Sequence, residues 1–359
     1  MTIKVLITGG AGFIGSALGK VLIEDHGAEV TAVDCLLDQV HPTGKPPESF
    51  DPRIRLIQKD VRDREAWRAL FADYRPDYIA HFAAETGTAQ SLKDSARHSG
   101  VNVLGTSELL DALCATGQTP KKILLSSSRS IYGEGAWKTE SGQIFYPGRR
   151  SNKQMASAQW DFVGKNGEAA RPLPHRAGAT FANPSSIYAA TKLAQENILG
   201  SWCEAFNVPL SILRFQNVYG PGQSPTNPYT GIINIFHRVA AAGGVIDVYE
   251  DGQIGRDFVF IDDVVRSCEK SLLDPRTETF FGDIGFGEPT TILEAAQIIA
   301  RAHGAPEPVV SGKFRDGDVR WAVADTKVMV DDLGVKPTVD FSEGSRRVGD
   351  WLRATGHLG

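Results

Sequence analysis

Apolar residues along this chain fall into two alternating patterns. Short unbroken runs occur at Val5-Leu6-Ile7, within Glu29–Asp34 and Ile54–Lys59, and within Asp77–Ala84, Lys122–Ser126 and Leu210–Phe215. Their length suits strands buried on both faces of a parallel sheet. Between them the spacing turns helical, as at Val103, Leu109, Leu110 and Leu113. Strands that alternate with helices predict an α/β fold, a doubly wound parallel sheet with helices on both faces. In the last third, helices are expected over 231–241, 291–303 and 341–353, and a strand over 245–249. A second strand near 255–261 leads into a helix ending at Leu273. Between Glu134 and Pro184 neither period persists. That stretch is rich in Gly, Ser, Pro, Arg and Lys and is far longer than an ordinary connection. It reads as an excursion from the sheet, packed in part through Trp137, Trp160 and Phe162, with disorder as the competing reading.

The first strand runs directly into Gly9, Gly12 and Gly15, and a helix then continues until Gly27. Strand, glycine turn and helix is the setting in which a glycine motif can hold a dinucleotide. Gly9 would allow a tight turn. Gly12 would let the backbone approach a pyrophosphate, and Gly15 would let the helix pack on the strand. The glycines alone fit an ordinary strand-to-helix turn equally well. The next strand changes the balance, because it ends on Asp34, where a carboxylate can accept hydrogen bonds from an adenosine ribose. An acid there repels a 2′-phosphate, which favours NAD over NADP and makes the sheet Rossmann-type.

Ligands of such sheets bind beyond the carboxyl ends of the strands. Ala83-Ala84, Ser126-Ser127-Ser128 and Gln216-Asn217 lie there. His81 closes an apolar strand and reads as a packed core histidine. Tyr188 and Lys192 are four apart and share a helix face. The spacing is common by chance, but here it accompanies a dinucleotide motif and a serine at a strand end.

The chain has 359 residues, a formal net charge of −5 and 42% hydrophobic residues. That allows one large or two smaller domains and gives no electrostatic reason to expect nucleic acid or an anionic membrane as partner. Cys35, Cys114, Cys203 and Cys268 form no C-x-x-C pair, so neither a metal site nor a disulfide framework is expected. No run approaches a membrane span and no leader pattern precedes the first strand, so the expectation is cytoplasmic.

With these residues set out, the chain resembles the extended short-chain dehydrogenase/reductase family, in its NAD-dependent sugar-nucleotide epimerase/dehydratase branch. The resemblance rests on Thr8–Gly15, Asp34, Asp60-Val61, His81–Ala84, Ser126–Gly133, Tyr188 with Lys192, Arg214–Gly222, Arg256–Val259 and Arg315–Asp318. It implies an NAD-binding domain over 1–218, with a long insert at about 134–183, completed by about 256–275. Residues 219–255 and 276–359 would form a smaller mixed α/β substrate-binding lobe. It implies that Ser128, Tyr188 and Lys192 are catalytic. Gly9, Gly12, Phe13, Ile14, Gly15, Asp34, Asp60, Val61, Phe82, Ala83, Ala84, Ser126, Phe215 and Val218 would bind the cofactor along with Tyr188 and Lys192. Asn217, Arg256 and Arg315 would hold a substrate diphosphate, and Val248 and Tyr249 would lie near the nucleobase. Glu85, Thr86, Arg129 and Asp318 join the substrate contacts, and Glu85 and Arg129 could instead pair with each other. The helices at about 102–114 and 187–206 each carry an apolar stripe, which burial inside the monomer would explain; in the family the matching helices form a four-helix homodimer seam.

Family dehydratases carry an Asp-Glu pair directly after the catalytic Ser/Thr. Here Arg129 and Ser130 stand in those places, which leaves epimerisation through a transient 4-keto sugar as the simplest implied reaction. Asp38–His41, Ala84–Thr88, Ser128–Gly135 and Asn227–Gly231 look most like the dTDP-L-rhamnose 4-epimerase group, which links dTDP-L-rhamnose and dTDP-6-deoxy-L-talose. A UDP-sugar 4-epimerase or a 4-keto-sugar reductase is the alternative.

Overall fold

The structure is a computed structural model that describes residues 2–225, 227 and 231–358. Pro228, Tyr229 and Thr230, part of one motif behind the resemblance, lie outside the described residues. The chain forms two compact units. One comprises 1–128, 187–214 and 264–282, and the other 129–186, 215–263 and 283–359.

The large sheet has seven strands, β1 (Lys4–Thr8), β2 (Glu29–Asp34), β3 (Arg55–Gln58), β4 (Tyr78–His81), β5 (Lys122–Ser128), β6 (Leu210–Phe215) and β7 (Phe280–Ile284). Their order is β7-β6-β5-β4-β1-β2-β3. The β4–β1, β1–β2, β2–β3 and β4–β5 pairs are parallel. Val5, Leu6 and Ile7 are fully buried, as a central strand covered on both faces requires. The expected sheet is therefore present. β5 runs two residues beyond the strand expected at Lys122–Ser126, because ladder pairing uses backbone groups and does not need apolar side chains. The strand returning to this sheet from the C-terminal half is Phe280–Ile284, and residues 264–282 lie in the first unit.

α1 (Phe13–His26) ends at Gly27, whose φ of 60° closes the helix with its N–H on Ile23 O. α2 (Arg64–Asp73) starts where the Asp63 carboxylate accepts the Ala66 N–H at 2.9 Å. α3 (Gly105–Ala115) is longer in effect than the apolar spacing indicates. A π turn over Gly100–Leu104 joins it to a short helix at Ser95–Ser99. α4 (Ile187–Phe206) carries the Tyr188–Lys192 pair. Leu6, Ile79, Ile123, Leu125, Leu109, Leu113 and Leu199 belong to one buried cluster that seats helices on this sheet.

In the second unit the strand expected near 255–261 divides. Gly255–Arg256 pairs with Trp321–Ala322 and Thr290–Thr291, whereas Phe258–Phe260 pairs with Asn217–Tyr219. The chain changes sheets at Asp257. Its buried carboxylate accepts the N–H groups of Phe286, Gly287 and Ala324 at 2.6, 3.0 and 3.0 Å. The helices expected in the last third form as Ile232–Ala241, Ile292–His303 and Phe341–Ala354. The strand expected over 245–249 is reduced to Asp247–Val248.

The stretch from Glu134 to Pro184 packs. Trp137–Thr139 pairs antiparallel with Ile144–Phe145 and Ala170–Pro172. Trp137 stacks edge-on against Phe162 at 5.0 Å. Arg150, 3% exposed, forks onto Glu250 at 2.7 and 2.8 Å and also donates to Asp318 O. Arg320 binds Asp251 and Asp161, and Glu134 accepts its N–H at 2.8 Å. Burial pushes the Glu134 carboxyl up to about 7 against the opposing pull of Arg150.

Candidate active site

In the first unit the glycine turn is packed to backbone contact. Gly9 has φ +67°, and a Cβ there would meet Ala83 N at 2.8 Å. Gly15 faces the turn itself rather than the strand, since its Cβ would stand 2.5 Å from Gly9 O and 2.9 Å from Gly10 Cα. Helix-to-strand packing falls instead to Gly19, against Ile54, Ile7 and Val30. Gly12 is the N-cap of α1, with no side-chain cap and no acid in the first turn, which begins with Phe13 and Ile14. The first N–H groups of a helix have no intrahelical partner and form an anion site. Asp34 clamps this turn, with one oxygen on the Ala11 N–H at 3.0 Å and the other on the Leu36 N–H at 2.9 Å.

Thr8 closes β1 and braces the exit of β4. Its Oγ1 accepts the Phe82 and Ala83 N–H groups, each at 3.1 Å. Ala84 follows, and Glu85 is held through both backbone groups by the Asn102 side chain at 2.7 and 3.0 Å. The Glu85 carboxylate faces Arg97 at 3.1 Å, so its ion partner is Arg97, which the sequence reading did not consider. Burial pushes the Glu85 carboxyl up, and Arg97 opposes the shift. The Thr86 carbonyl faces His98 Nε2 at 3.2 Å. Asp60 binds Arg62 at 2.6 Å, and Val61 packs into the core beneath Gly105.

Ser126–Ser128 are the last residues of β5 rather than a loop beyond it. Ser126 points its hydroxyl to His81 O at 3.4 Å, and Ser127 donates to the Glu196 carboxylate. Glu196 also takes the Arg214 fork at 3.0 and 2.7 Å. Tyr188 stands in the first turn of α4, its carbonyl accepting the Thr191 hydroxyl at 2.8 Å. Lys192, one turn on, is 2% exposed and donates from Nζ to Gln195 Oε1 at 2.6 Å. Burial pushes its ammonium down to about 7, with Glu196 opposing. His81 is buried between Thr8 and Thr106, and burial followed by the Lys192 charge pushes it down to about 3.

In the second unit, Phe215 is buried, and Asn217 and Val218 lie in the short strand beside Phe258–Phe260. Among the described residues, the Asn217 Oδ1 and both polar atoms of the Gln216 side chain are buried without a protein partner. Arg256 donates to Asp318 at 2.6 Å and to Gly255 O at 2.9 Å. Val248 is buried, and the Arg315 guanidinium lies 5.0 Å from the centre of the Tyr249 ring. Arg129 carries a positive charge that acts on His175 and Asp257.

The model of the NAD-dependent epimerase/dehydratase family matches residues 5–150 and 161–280. The chain belongs to that family. A dTDP-L-rhamnose 4-epimerase of Burkholderia thailandensis is 47% identical over 350 residues, covering 97% of this chain and 94% of its own. The crystal structure of Thermotoga maritima UDP-glucose 4-epimerase with UDP-glucose aligns with a TM-score of 0.77 at 28% identity, over 98% of this chain and 99% of that one. The Thermus thermophilus UDP-glucose 4-epimerase complex with NAD aligns at 0.76 and 29%, with the same coverage. The protein is an NAD-dependent sugar-nucleotide epimerase.

The residues present fit that cofactor. The turn admits no Cβ at Gly9 or Gly15, and the 14-residue α1 presents an uncapped N-terminus. A carboxylate ends β2. Asn102, Thr106, Gln195 and Glu196 are not marked by any motif in the sequence. The only available signal was spacing, since Gln195 and Glu196 stand three and four residues after Lys192, on its face of the helix. The buried cluster of Glu134, Arg150, Glu250 and Arg320 left no comparable signal.

Proposed function

We propose that this epimerase inverts C4 of dTDP-L-rhamnose, interconverting it with dTDP-6-deoxy-L-talose. The observation that carries the reading is the 47% identity, over nearly the whole chain, to the Burkholderia thailandensis enzyme. Arg129 and Ser130 support it as well, because neither can serve as the extra acid and base that dehydration requires.

In this reading Tyr188 is the acid/base. A free phenol titrates near pH ~10, and a nearby cation stabilises the phenolate. Charged Lys192 supplies that cation. Tyr188 Oη takes the proton from the sugar 4-hydroxyl and later returns it. Ser128 Oγ hydrogen-bonds the same sugar oxygen as its charge changes. Bound NAD would supply a reversible acceptor for the C4 hydride, so that the 4-keto sugar forms and is reduced again on its other face. The residue positions also support roles in binding. The turn at Gly9, Gly12, Phe13, Ile14 and Gly15 would hold the NAD pyrophosphate, and Asp34 its adenosine ribose. Asp60, Val61, Phe82–Ala84, Ser126, Phe215 and Val218 would line the rest. Asn217, Arg256 and Arg315 would take the substrate diphosphate, Val248 and Tyr249 the thymine side, and Glu85, Thr86, Arg129 and Asp318 the remaining polar contacts.

A homodimer and a cytoplasmic setting complete the reading. Leu104 and Phe206, at the ends of the two helices implied in the seam, are exposed, and the four cysteines are free thiols. The test is proton NMR of purified protein with dTDP-L-rhamnose, UDP-glucose and UDP-glucuronate, each alone and without added cofactor. A new anomeric signal from dTDP-L-rhamnose is expected. Conversion of a UDP-sugar alone would overturn the substrate. Turnover of only a 4-keto sugar, and only with NADH or NADPH, would make the protein a reductase.

A further inference from the structure

An unbroken chain of buried hydrogen bonds joins the glycine turn to Lys192, and the proton in every link can be assigned. Thr8 Oγ1 accepts two backbone N–H groups, from Phe82 and Ala83, each at 3.1 Å. A hydroxyl oxygen has two lone pairs, so the Thr8 proton goes to His81 Nδ1, 2.7 Å away. His81 is neutral and therefore carries its own proton on Nε2. It donates that proton to Thr106 Oγ1 at 2.9 Å. Thr106 gives its proton to the Asn102 carbonyl at 2.6 Å, so its oxygen also accepts from Gln195 Nε2 at 3.0 Å. The 3.3 Å approach of Gln195 Nε2 to His81 Nε2 is then two donors meeting at their shared acceptor. The Gln195 amide can face only one way, with its carbonyl oxygen on Lys192 Nζ at 2.6 Å. Turned over, it would set N–H groups against an ammonium. His81, Thr106, Lys192 and Gln195 are all buried.

We infer that Gln195 is a positioning residue for Lys192: its carboxamide, oriented from the glycine turn through His81 and Thr106, fixes the ammonium and favours its charged form. An ammonium has three donors, and one goes to Gln195. The inference rests on the role given to Lys192 above. The titratable groups around it are Tyr188, one turn back on the same face of α4, Glu196 and His81. Glu196, on the same helix, favours the charge and is itself bound by Arg214 of β6 and Ser127 of β5. His81 of β4 is neutral, and Asn102, in the π turn leading into α3, and Thr106, in the first turn of α3, are uncharged.

The test reads Lys192 directly. Full-length protein is prepared with lysine labelled at Cε, and the Lys192 shift, assigned by its loss in Lys192→Met, is followed against pH. Gln195→Leu removes the acceptor and lowers the midpoint. Gln195→Glu, of the same shape, adds a charge and raises it. Each shift is about one pH unit, the size expected of a hydrogen bond to a charged group. Gln195→Asn, one methylene too short to reach, follows Gln195→Leu. A residue that only packs would move the midpoint in neither variant, or in the same direction in both, and either result overturns the inference. The alkaline limb of kcat should follow the midpoint, with KM for the nucleotide sugar unchanged. A midpoint that moves while the limb stays would keep the positioning and remove Lys192 from the mechanism.

Discussion

Replacing a helical glycine by alanine ordinarily stabilises a helix by about 1 kcal/mol. Gly15→Ala should do the opposite. The added Cβ would stand 2.5 Å from Gly9 O and 2.9 Å from Gly10 Cα, where ordinary contact begins at 3.4 Å. Both obstacles are backbone, so no rotamer relieves them, and the turn must move by about 1 Å. Overpacking of this kind costs about 1–3 kcal/mol. Set against the helix gain, the net loss is about 0–2 kcal/mol. The larger effect falls on NAD, because the atoms that move belong to the turn proposed to hold its pyrophosphate. Losing one or two hydrogen bonds to a charged group weakens binding by about 1.5–3 kcal/mol or more, a rise in Kd of at least about tenfold. Gly19 of the same helix and Gly27, which caps its end, serve as controls. A Cβ at Gly19 would meet the tip of the Ile54 side chain at 2.7 Å, which can rotate away. Gly27 has nothing within 4 Å but has φ +60°, so alanine there costs about 1 kcal/mol of backbone strain. Thermal unfolding and calorimetric NAD titration of stripped protein measure all three. A normal Kd for Gly15→Ala, or an equal loss for Gly19→Ala, would refute the reasoning.

Tyr188→Phe should lower kcat by about 10²–10⁴-fold, the usual contribution of a positioned acid/base. Melting temperature should not change, and a variant with full kcat would remove Tyr188 from the mechanism. Arg150→Met leaves the Glu250 carboxylate, bound at 2.7 Å, without its fork. The expected loss in urea unfolding is about 3–5 kcal/mol, and pairing the change with Glu250→Gln should recover part of it. His81 and His175 are each pushed down to about 3, mainly by burial. The unfolded chain protonates both near pH 6.5, so it binds more protons than the native state between that pH and about 3, and acidification below 6.5 costs stability. At pH 5.5 the loss is about 1.4 kcal/mol for each histidine relative to pH 7.5. Equal urea midpoints at the two pH values would contradict their burial as neutral groups.

Much of the first unit was legible because its signals are local. The apolar run of β1, the three glycines and the acid closing β2 lie within thirty-odd residues, and periodicity and turn chemistry act over that range. Tyr188 and Lys192 were legible for the same reason. What stayed hidden depends on distant pairing. Thr106 and Gln195 are 89 positions apart, and Arg150 and Glu250 are 100 apart. Neither the partnership of Glu85 with Arg97 nor the sheet change at Asp257 leaves a period in the chain. The stretch from Glu134 to Pro184 looked close to disordered because its order comes from charges whose partners lie elsewhere. Charged residues read one at a time suggest solvent.

That anchoring limits how this protein can be altered. A polar, glycine-rich surface excursion is the first segment a protein engineer would trim, or exchange for one from a relative. Cutting it out here would remove Arg150, Glu134 and Asp161 together. Glu250 and Arg320 would then lose partners they cannot replace with water. The segment is therefore coupled physically to Glu250, Asp251 and Arg320. A chimera that moves one half without the other should come out of expression insoluble, whatever its catalytic residues. A transplant carrying both halves is the one expected to yield a folded enzyme.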